Sequence, residues 1–291
     1  MNGMEKMDPA LKAKLQALEV EIGRYPSALV AFSGGVDSTL LAYVAGRVLA
    51  GKVWLVTAES STYPVEEREE ARRLAQDFAL PHLIVRSEEL EIPEFLDNPP
   101  DRCYYCKREL FAQLVRIAKE RGLAVVFDGN NASDLSDFRP GRRAVEELGV
   151  VSPLERAGLT KEDIRALSRH FDLTTSEKPA MACLASRFPY GERITREKLD
   201  RVGQVERALR RMGFTQLRVR SHGDLARLEF ESGEMQRAFD ERETLAQLCR
   251  EAGFVHSSLD LTGYRCGSMN EALRMGKPSP EAGEKESGET K

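Results

Sequence analysis

The sequence predicts an α/β protein in which a parallel sheet is flanked by helices, with a smaller α+β domain behind it. Two observations predict this fold class. Short apolar runs alternate with longer helical segments as far as about residue 171 of the 291-residue chain, which is the order of βαβ units. After Pro189 the order becomes helix, strand, strand, helix, strand. We therefore expect a first domain at 1–187, a second at 188–275, and a disordered tail at 276–291, which lacks large apolar residues.

The first domain begins with a helix from Asp8-Pro9, a capping residue followed by proline, to about Tyr25. Strands are predicted at 28–32, 53–57, 83–85 and 124–128, and helices at 37–49, after Pro64 and after Cys106. A capping box at 160–163, with aspartate as its last residue, starts a helix that runs to about Phe171. Ligands bind at the carboxyl ends of parallel strands. The residues that follow these strands are therefore the candidate site.

The second domain is predicted from helical spacing and from strand alternation. A helix at 195–212 precedes two alternating strands, 217–220 and 226–230, which are joined by a turn around 222–224. A helix at 234–251 and a strand at 254–261 follow. We expect this domain to be smaller than the first.

Composition and charge exclude several classes of protein. The net charge of −4 and the isoelectric point near 5.8 argue against broad nucleic-acid binding. No apolar stretch approaches the roughly 20 residues that cross a membrane, and the polar stretch 1–14 has no signal-peptide core. Five cysteines without an export signal indicate a reducing compartment. We expect a cytoplasmic protein that binds neither nucleic acid nor membrane.

The turn after the first apolar run is the strongest candidate for a phosphate site. It consists of Ser33, Gly34, Gly35, Val36, Asp37 and Ser38. Two glycines allow backbone N–H groups to approach a phosphate closely, and the helix that follows directs its positive end at the same point. The turn lacks the Gly-Lys-Ser/Thr ending of the Walker loop. An ordinary turn between strand and helix is the alternative.

A second candidate loop follows the strand at 124–128. It contains Asp128, Gly129 and Asp134, and the sequence continues with Asp137-Phe138-Arg139-Pro140-Gly141. Gly129 would allow a nucleotide to approach the backbone, while a carboxylate of this loop held Mg²⁺, which prefers oxygen ligands. A polar loop that caps a helix is the alternative.

The cysteines form a third candidate site. Cys103 and Cys106 are a CxxC pair, which we place on a loop after Asn98-Pro99-Pro100, and Cys183 lies far downstream. Such a set occurs in redox pairs, zinc sites and iron–sulfur sites. Structural zinc takes four ligands, so Cys266 would have to complete it, whereas a cluster on three cysteines leaves one iron open. Buried structural cysteines remain a further interpretation, and we assign no role to Cys249.

Two arginines on the strand at 217–220 form the last candidate site. Alternation places Arg218 and Arg220 on one face, which Arg227 and Glu229 of the next strand could join. Guanidinium groups bind carboxylate or phosphate in bidentate fashion. The face is therefore either a platform for an anionic substrate or a solvated surface.

The turn at 33–38 resembles the SGGxDS loop of the PP-loop ATPase superfamily, whose members cleave ATP between the α- and β-phosphates. With three further motifs, the chain is similar to the LarE family over roughly residues 10–275. These motifs are the loop at 129–134 with 137–141, the segment Lys178-Pro179-Ala180-Met181-Ala182-Cys183-Leu184-Ala185-Ser186-Arg187, and Phe188-Pro189-Tyr190-Gly191-Glu192 with Gly263-Tyr264-Arg265.

The resemblance implies an ATP-dependent sulfur transferase. A carboxylate of pyridinium-3,5-biscarboxylic acid mononucleotide attacks the α-phosphorus of ATP, and a sulfur nucleophile then displaces AMP to leave a thiocarboxylate. Two cycles make the precursor of the nickel-pincer nucleotide, the cofactor of lactate racemase. Mg²⁺ and the loop at Ser33 would neutralise charge on the departing pyrophosphate, and Asp37 would be catalytic.

The resemblance also implies roles for the cysteines and for the second domain. In the simplest family members one cysteine, which corresponds to Cys183, gives up its own sulfur. This chain looks like the three-cysteine branch, in which Cys103, Cys106 and Cys183 hold a [4Fe-4S] cluster with a removable sulfide. The substrate side would consist of Ser186, Arg187, Glu206, Arg218 and Arg220.

Family members form homo-oligomers, and the nickel-insertion and carboxylase proteins of the same pathway are the expected partners. Three other functions remain open: a PP-loop tRNA thiolase, an ATP-dependent amidating ligase, and a nucleotide-binding metal carrier without catalytic activity. The thiolase would need a basic RNA-binding surface, and the ligase would not need three cysteines.

Overall fold

A computed structural model describes residues 7–63, 65–136, 140–179, 182–265 and 268. Three features of the sequence lie outside these residues: the Asp137-Phe138-Arg139 motif, Cys266, and the tail at 276–291. No helix among the described residues is long and apolar enough to span a membrane.

The described strands follow the predicted order, whereas several of the described helices were not predicted. The helices are α1 (Pro9–Gly23), α2 (Val36–Val48), α3 (Val65–Asp77), α4 (Pro93–Leu96), α5 (Arg102–Glu120), α6 (Gly141–Glu147), α7 (Pro153–Arg156), α8 (Lys161–His170), α9 (Arg196–Arg211), α10 (Met235–Asp240) and α11 (Arg242–Glu251). The strands are β1 (Ala28–Ala31), β2 (Val53–Glu59), β3 (His82–Arg86), β4 (Val125–Phe127), β5 (Leu217–His222), β6 (Leu225–Phe230) and β7 (His256–Leu259).

Contacts between Cα atoms divide the chain into two units. The first contains the described residues up to Ile92 and those from Asp101 to Pro179, and the second contains Pro93–Pro100 and the described residues from Ala182 onward. This division differs from the predicted domains in two places, because 93–100 and 182–187 group with the second unit. In that unit Asn98 Nδ2 donates a hydrogen bond to Pro189 O at 2.7 Å, which joins the two segments.

The first unit is a parallel sheet between two layers of helices, as the sequence predicts. The strand order is β3-β2-β1-β4 and every pairing in the sheet is parallel. Alternate residues of β1 face opposite layers: Val30 belongs to the core with α1, α2, α3, α7 and α8, whereas Leu29 packs with α5 and α6. The chain leaves β1 toward β2 on one side and reaches β4 on the other. The loop after β1 therefore lies where the strand order reverses, the usual place for a ligand.

Two helix caps have the predicted chemistry. The Asp8 side chain accepts a hydrogen bond from Ala10 N at 2.8 Å. At the start of α8, Thr160 and Asp163 form a reciprocal capping box. The Asp163 carboxylate also pairs with Lys14 at 2.5 Å, which ties α8 to α1.

The second unit is a three-stranded sheet with helices. Its strand order is β5-β6-β7, in which β5 and β6 are antiparallel and β6 and β7 are parallel. The predicted single helix at 234–251 is wrong. A ψ of 12° at Glu241 ends α10, and α11 begins at the next residue.

Candidate active site

The residues predicted to bind phosphate form a tight turn between β1 and α2. Ser38 Oγ accepts a hydrogen bond from Ser33 N at 3.2 Å and donates to Gly35 O at 3.2 Å. Gly35 N donates to Ser33 Oγ at 3.3 Å. The two serines therefore hold the turn itself. Gly35 is the N-cap of α2 and has no side chain to cap the helix, so the positive end of α2 is available to an anion.

Gly34 is required at its position for two reasons. Its φ is +71°, in the left-handed region that glycine adopts without penalty. A Cβ there would also lie 3.2 Å from the Cα and the Cβ of Ala71 in α3. The turn therefore fits closely against α3.

Asp37 lies at the start of α2 and is paired with a lysine from a distant part of the chain. Its Oδ2 is 2.6 Å from Lys161 Nζ. Its Oδ1 accepts a hydrogen bond from Asn131 Nδ2 at 3.3 Å. Both charged side chains remain partly exposed, at 23% for Asp37 and 33% for Lys161. A carboxylate and an ammonium group are thus held together beside the open end of α2.

A second lysine reaches the turn from after α8. Lys178 Nζ donates to Gly34 O at 3.1 Å. It also forms ion pairs with Glu67 at 2.8 Å and Glu70 at 2.7 Å, both on α3. These carboxylates fix the ammonium group against the turn.

The turn, Asp37 and both lysines line one cavity of about 390 Å³ at the carboxyl ends of β1 and β2. Its other walls come from β2, the loop after it, α3 and α5. The full lining is Ala31, Phe32, Ser33, Gly35, Val36, Asp37, Val56, Thr57, Ala58, Glu59, Ser60, Tyr63, Glu67, Arg68, Leu110, Leu114, Lys161, Lys178 and Pro179. Of the predicted nucleotide-binding residues, Ser33, Gly35 and Asp37 thus face the cavity.

The carboxylates after β4 are engaged inside their own loop. Asp128 is 3% exposed and accepts a hydrogen bond from Asn130 Nδ2 at 2.5 Å. Burial raises the pKa of Asp128, and the charge of Lys107 opposes this in part. Asp134 accepts from Asn131 N at 3.1 Å. We expected a carboxylate of this loop to hold Mg²⁺, whereas Asp37 is the aspartate that lines the cavity.

Gly129 lies against the phosphate turn rather than on the cavity wall. A Cβ at this position would be 3.4 Å from Ser38 N and 3.5 Å from Asp37 Cβ. The absence of a side chain therefore allows the loop after β4 to pack on the first turn of α2.

Cys103 and Cys106 lie in the first turn of α5, so the predicted loop position is wrong. The helix already begins at Arg102, and the buried Tyr104 anchors it by donating a hydrogen bond to Glu147 at 2.8 Å. Residues three apart on a helix share a face. Cys103 is exposed and Cys106 is half-buried.

The second unit brings three of the predicted substrate-side residues together with Cys183. Ser186 Oγ donates to Cys183 O at 2.8 Å, and Arg187 Nη1 donates to Ser186 Oγ at 2.6 Å. Arg187 also donates two hydrogen bonds to the Glu206 carboxylate, from Nε at 2.6 Å and from Nη2 at 3.1 Å. Both side chains of this ion pair are essentially unexposed, at 0% and 1%.

Arg218 and Arg220 are buried, so the solvated interpretation of this strand is wrong. Arg220 Nη1 donates to Ser186 O at 2.7 Å, and Arg220 Nε pairs with Glu229 at 3.1 Å. Arg227 joins Glu229 at 3.1 Å, on the predicted face. Arg218 lies over the ring of Tyr264, 4.9 Å from its centre. Of these arginines, Arg220 contacts Ser186 directly.

Electrostatics in this cluster favour the ion pair. Burial alone would raise the pKa of Glu206, but the charge and hydrogen bond of Arg187, followed by Arg210, bring it below its ordinary value. Burial and the charge of Arg187 lower the pKa of Arg218 from its ordinary value. Glu206 and Tyr264 oppose this shift, so the charges around Arg218 are of both signs.

Comparison with known proteins identifies the family. Residues 26–227 match the family described as asparagine synthase. The pyridinium-3,5-bisthiocarboxylic acid mononucleotide synthase of Lactiplantibacillus plantarum is 36% identical over 84% of this chain and 89% of its own. The chain belongs to the LarE family. It is an ATP-dependent sulfurtransferase with the PP-loop fold.

Two uncharacterised proteins are also similar to this chain. An uncharacterised protein of Synechocystis is 43% identical over 90% of this chain and 99% of its own. One of Methanocaldococcus jannaschii is 29% identical over 81% of this chain and 90% of its own.

The sequence alone did not identify Lys161 and Lys178 as site residues. In the sequence Lys161 lies within the capping box of α8, as a surface lysine commonly does. Lys178 is the first residue of the segment that contains Cys183, and nothing next to it indicates phosphate binding. One signal in the sequence pointed to such lysines: the turn at 33–38 lacks the lysine of a Walker loop. A phosphate site without that lysine needs cations from elsewhere in the chain.

Gly34→Ala should weaken ATP binding and lower the free energy of unfolding. The cost of a left-handed alanine is about 1–2 kcal/mol, and the close contact of the new Cβ with Ala71 adds to this cost. Calorimetric titration with ATP and urea unfolding measure the two effects. Gly149→Ala is the control, because its φ is +66° but nothing lies within 4 Å of the new Cβ. Gly149→Ala should lower stability and leave ATP affinity unchanged. Equal loss of ATP affinity in both variants would contradict this account of the turn.

Glu206→Gln should lower the free energy of unfolding at pH 7 by about 3 kcal/mol or more, because it leaves the charge of buried Arg187 unpaired. The folded-state pKa of Glu206 is lowered. Its stabilising charge is therefore present above the ordinary glutamate pKa of about 4.3 and is lost as pH falls through the lower folded value. The difference from wild type should narrow below about pH 4.3, measured by denaturant unfolding.

The matched control is Glu197→Gln on the exposed face of the same helix. It should leave the pH dependence of unfolding as in wild type. A gap between Glu206→Gln and wild type that stayed constant down to the acid transition would show that the carboxylate charge is not the stabilising feature.

Proposed function

We propose that this LarE family member adenylates a carboxylate of pyridinium-3,5-biscarboxylic acid mononucleotide with ATP and converts it to a thiocarboxylate, as a step toward the nickel-pincer nucleotide. One observation carries the proposal: the open end of α2, Asp37 and two lysines face a single cavity. The printed name of the Lactiplantibacillus relative supports the choice of substrate.

The triphosphate of ATP would occupy the end of the cavity formed by the turn after β1. The backbone N–H groups of the first turn of α2 and the ammonium groups of Lys161 and Lys178 supply positive charge there. Mg²⁺ is normally held by one or two carboxylates together with substrate phosphates. Asp37 fits that role, because its carboxylate is partly exposed and lines the cavity.

The nucleoside would occupy the opposite end. Val56, Leu110 and Leu114 line the cavity with apolar side chains that would suit a flat base, and Ser60 and Tyr63 also line it. A nucleotide that spans both ends presents its α-phosphorus between them. The cavity thus separates recognition of the nucleoside from that of the departing phosphates.

In the first step a carboxylate oxygen of the substrate attacks the α-phosphorus. The bond from this phosphorus to the bridging oxygen breaks, and pyrophosphate leaves with the electron pair. Lys161 and Lys178 would stabilise the charge that develops on pyrophosphate. In the second step a sulfur nucleophile adds to the acyl carbon and AMP departs, leaving the thiocarboxylate.

The substrate phosphate would bind to the second unit. Ser186 contacts Cys183, and Arg220 contacts Ser186; together with Arg218 they would supply the donors and the positive charge for this phosphate. Arg187 pairs with Glu206 and also donates to Ser186 Oγ and Cys183 O, so we assign this ion pair the role of holding Ser186 and the Cys183 backbone. The substrate would thereby lie near the proposed sulfur donor.

Two sulfur donors fit this proposal. Accessible thiolates fit an iron–sulfur cluster by donor type, and Cys103 and Cys106 share one face of α5 while Cys183 belongs to the second unit. Among the described side chains no three metal-ligand residues are placed to hold an ion. A cluster on these cysteines would supply a removable sulfide. Alternatively Cys183 gives up its own sulfur when its Cβ–S bond breaks, which leaves dehydroalanine.

The nickel-insertion and carboxylase proteins stay predicted partners, and homo-oligomer formation stays a prediction.

Asp37→Ala should reduce pyrophosphate release by roughly a hundredfold or more, because the charge of the departing group loses its metal-binding carboxylate. Pyrophosphate is measured with ATP and the dicarboxylate mononucleotide. Asp163→Asn is the control, since Asp163 also pairs with a lysine but does not line the cavity. It should keep near wild-type rates. Normal pyrophosphate release from Asp37→Ala would refute the assignment.

Cys183→Ala should leave pyrophosphate release intact and abolish sulfur transfer, because adenylation does not need the thiol. Thiocarboxylate formation is followed by mass spectrometry. Cys249→Ala is the control, because burial raises the pKa of the Cys249 thiol to about 11 and keeps it out of thiolate chemistry. Sulfur transfer by Cys183→Ala would exclude both donors.

Iron and acid-labile sulfide content then separates the two donors. A cluster predicts about four irons per chain after anaerobic reconstitution, with loss in Cys106→Ala and in Cys183→Ala. Donation from Cys183 itself predicts a protein without iron that loses the mass of one sulfur atom in a single turnover.

A further inference from the structure

One buried carboxylate beside the cavity has no part in the chemistry described so far. Glu89 follows β3 and is 1% exposed. Its hydrogen-bond donors are the hydroxyl groups of Ser60, Thr62 and Ser87, of which Thr62 lies at 2.9 Å. Desolvation makes such a carboxylate costly unless its oxygens are well satisfied. Three hydroxyl groups from two different loops meet that need.

These hydroxyl groups belong to the two loops at the carboxyl end of the sheet. Ser60 and Thr62 follow β2, and Ser87 follows β3. Thr62 N also donates to Ser60 Oγ at 2.9 Å, so the loop after β2 is closed on itself as well as on Glu89. We call Ser60, Thr62, Ser87 and Glu89 the Glu89 cluster.

Glu109 on α5 extends the cluster. Its Oε2 lies 3.0 Å from Ser87 Oγ. Ser87 has one hydroxyl hydrogen and cannot donate to two carboxylates at once. Burial raises the pKa of Glu109, and the charge of Glu89 adds to this in a smaller measure. Ser87 links the two carboxylates, with its hydroxyl hydrogen directed at one of them at a time.

The loop held by the cluster lines the part of the cavity where we place the nucleoside. Glu59, Ser60 and Tyr63 line it, whereas Thr62 between them is fully buried. The phosphate end is lined by the turn after β1 and by Lys161 and Lys178. The hydrogen bonds within that turn do not involve the Glu89 cluster, so a change in the cluster should displace the loop after β2 more than the turn.

We propose that Glu89 is a positioning residue for the nucleoside of ATP: its carboxylate fixes the loop after β2 in the conformation that receives the base and ribose. The inference rests on the proposed placement of ATP in the cavity. If Glu89 has this role, its loss weakens binding of the nucleoside more than binding of the phosphates. Loss of a residue that only stabilises the fold would not separate the two.

The test compares the affinities of ATP and of inorganic pyrophosphate, each with Mg²⁺, by calorimetric titration of the full chain. Glu89→Ala should weaken ATP about tenfold, as expected for the loss of a buried acceptor, and leave pyrophosphate affinity within about twofold. Glu89→Gln keeps the shape and one acceptor oxygen and should retain most of the ATP affinity. Thr62→Val removes one donor at nearly constant volume and should weaken ATP in the same direction as Glu89→Ala.

Glu21→Ala is the matched control. Glu21 is also a buried carboxylate of the first unit, at 6% exposed, but it lies on α1 and pairs with Arg24 and Arg156 at 2.5 and 2.8 Å. It should lower the free energy of unfolding and leave both affinities unchanged.

Two results would overturn the inference while the proposed function stands. One is wild-type ATP affinity in both Glu89→Ala and Thr62→Val. The other is a parallel loss of ATP and pyrophosphate affinity in Glu89→Ala. If wild-type protein bound neither ATP nor pyrophosphate, the proposed placement of ATP would itself be wrong.

Discussion

The site depends on the way the chain turns from a buried strand into a helix without covering the end of that helix. Gly34 takes a left-handed conformation against Ala71, and Gly35 occupies the cap position without a side chain. The serines on either side bond to each other and to the turn. The positive end of α2 therefore stays open to a phosphate, and the other charged groups of the cavity are arranged around it.

The cations near this turn are balanced before any ligand binds. Lys161 pairs with Asp37, and Lys178 pairs with Glu67 and Glu70. Isolated ammonium groups in a partly buried cavity would repel each other and lose hydration. The carboxylates hold them in place at low cost, and a polyphosphate with its metal ion can then exchange partners with them. The same balance occurs in the second unit, where Arg187 is neutralised by Glu206.

In the proposed function the two units bind different groups with different side chains. The first unit offers a helix terminus and ammonium groups paired with carboxylates, which suit phosphates that must leave. The second offers guanidinium groups locked by carboxylates and carbonyls, as Arg220 is by Glu229 and by Ser186 O. Rigid guanidinium groups suit a phosphate that only anchors a substrate. This division agrees with a reaction in which pyrophosphate departs and the substrate mononucleotide stays bound.

By itself, the sequence determined the parallel sheet, the phosphate turn and the caps of α1 and α8, because each depends on residues close together in the chain. The same local rules led to an error at Cys103 and Cys106, because the chain is already helical from Arg102, and Tyr104 between the two cysteines is buried and bonds to Glu147, far along the chain. Only the tertiary structure decided which charges meet. Lys161 lies 124 residues from Asp37, and Lys178 lies 144 from Gly34. The packing of whole helices decides which of these residues meet. Glu89 likewise receives its hydrogen bonds only when the loops after β2 and β3 come together at the carboxyl end of the sheet.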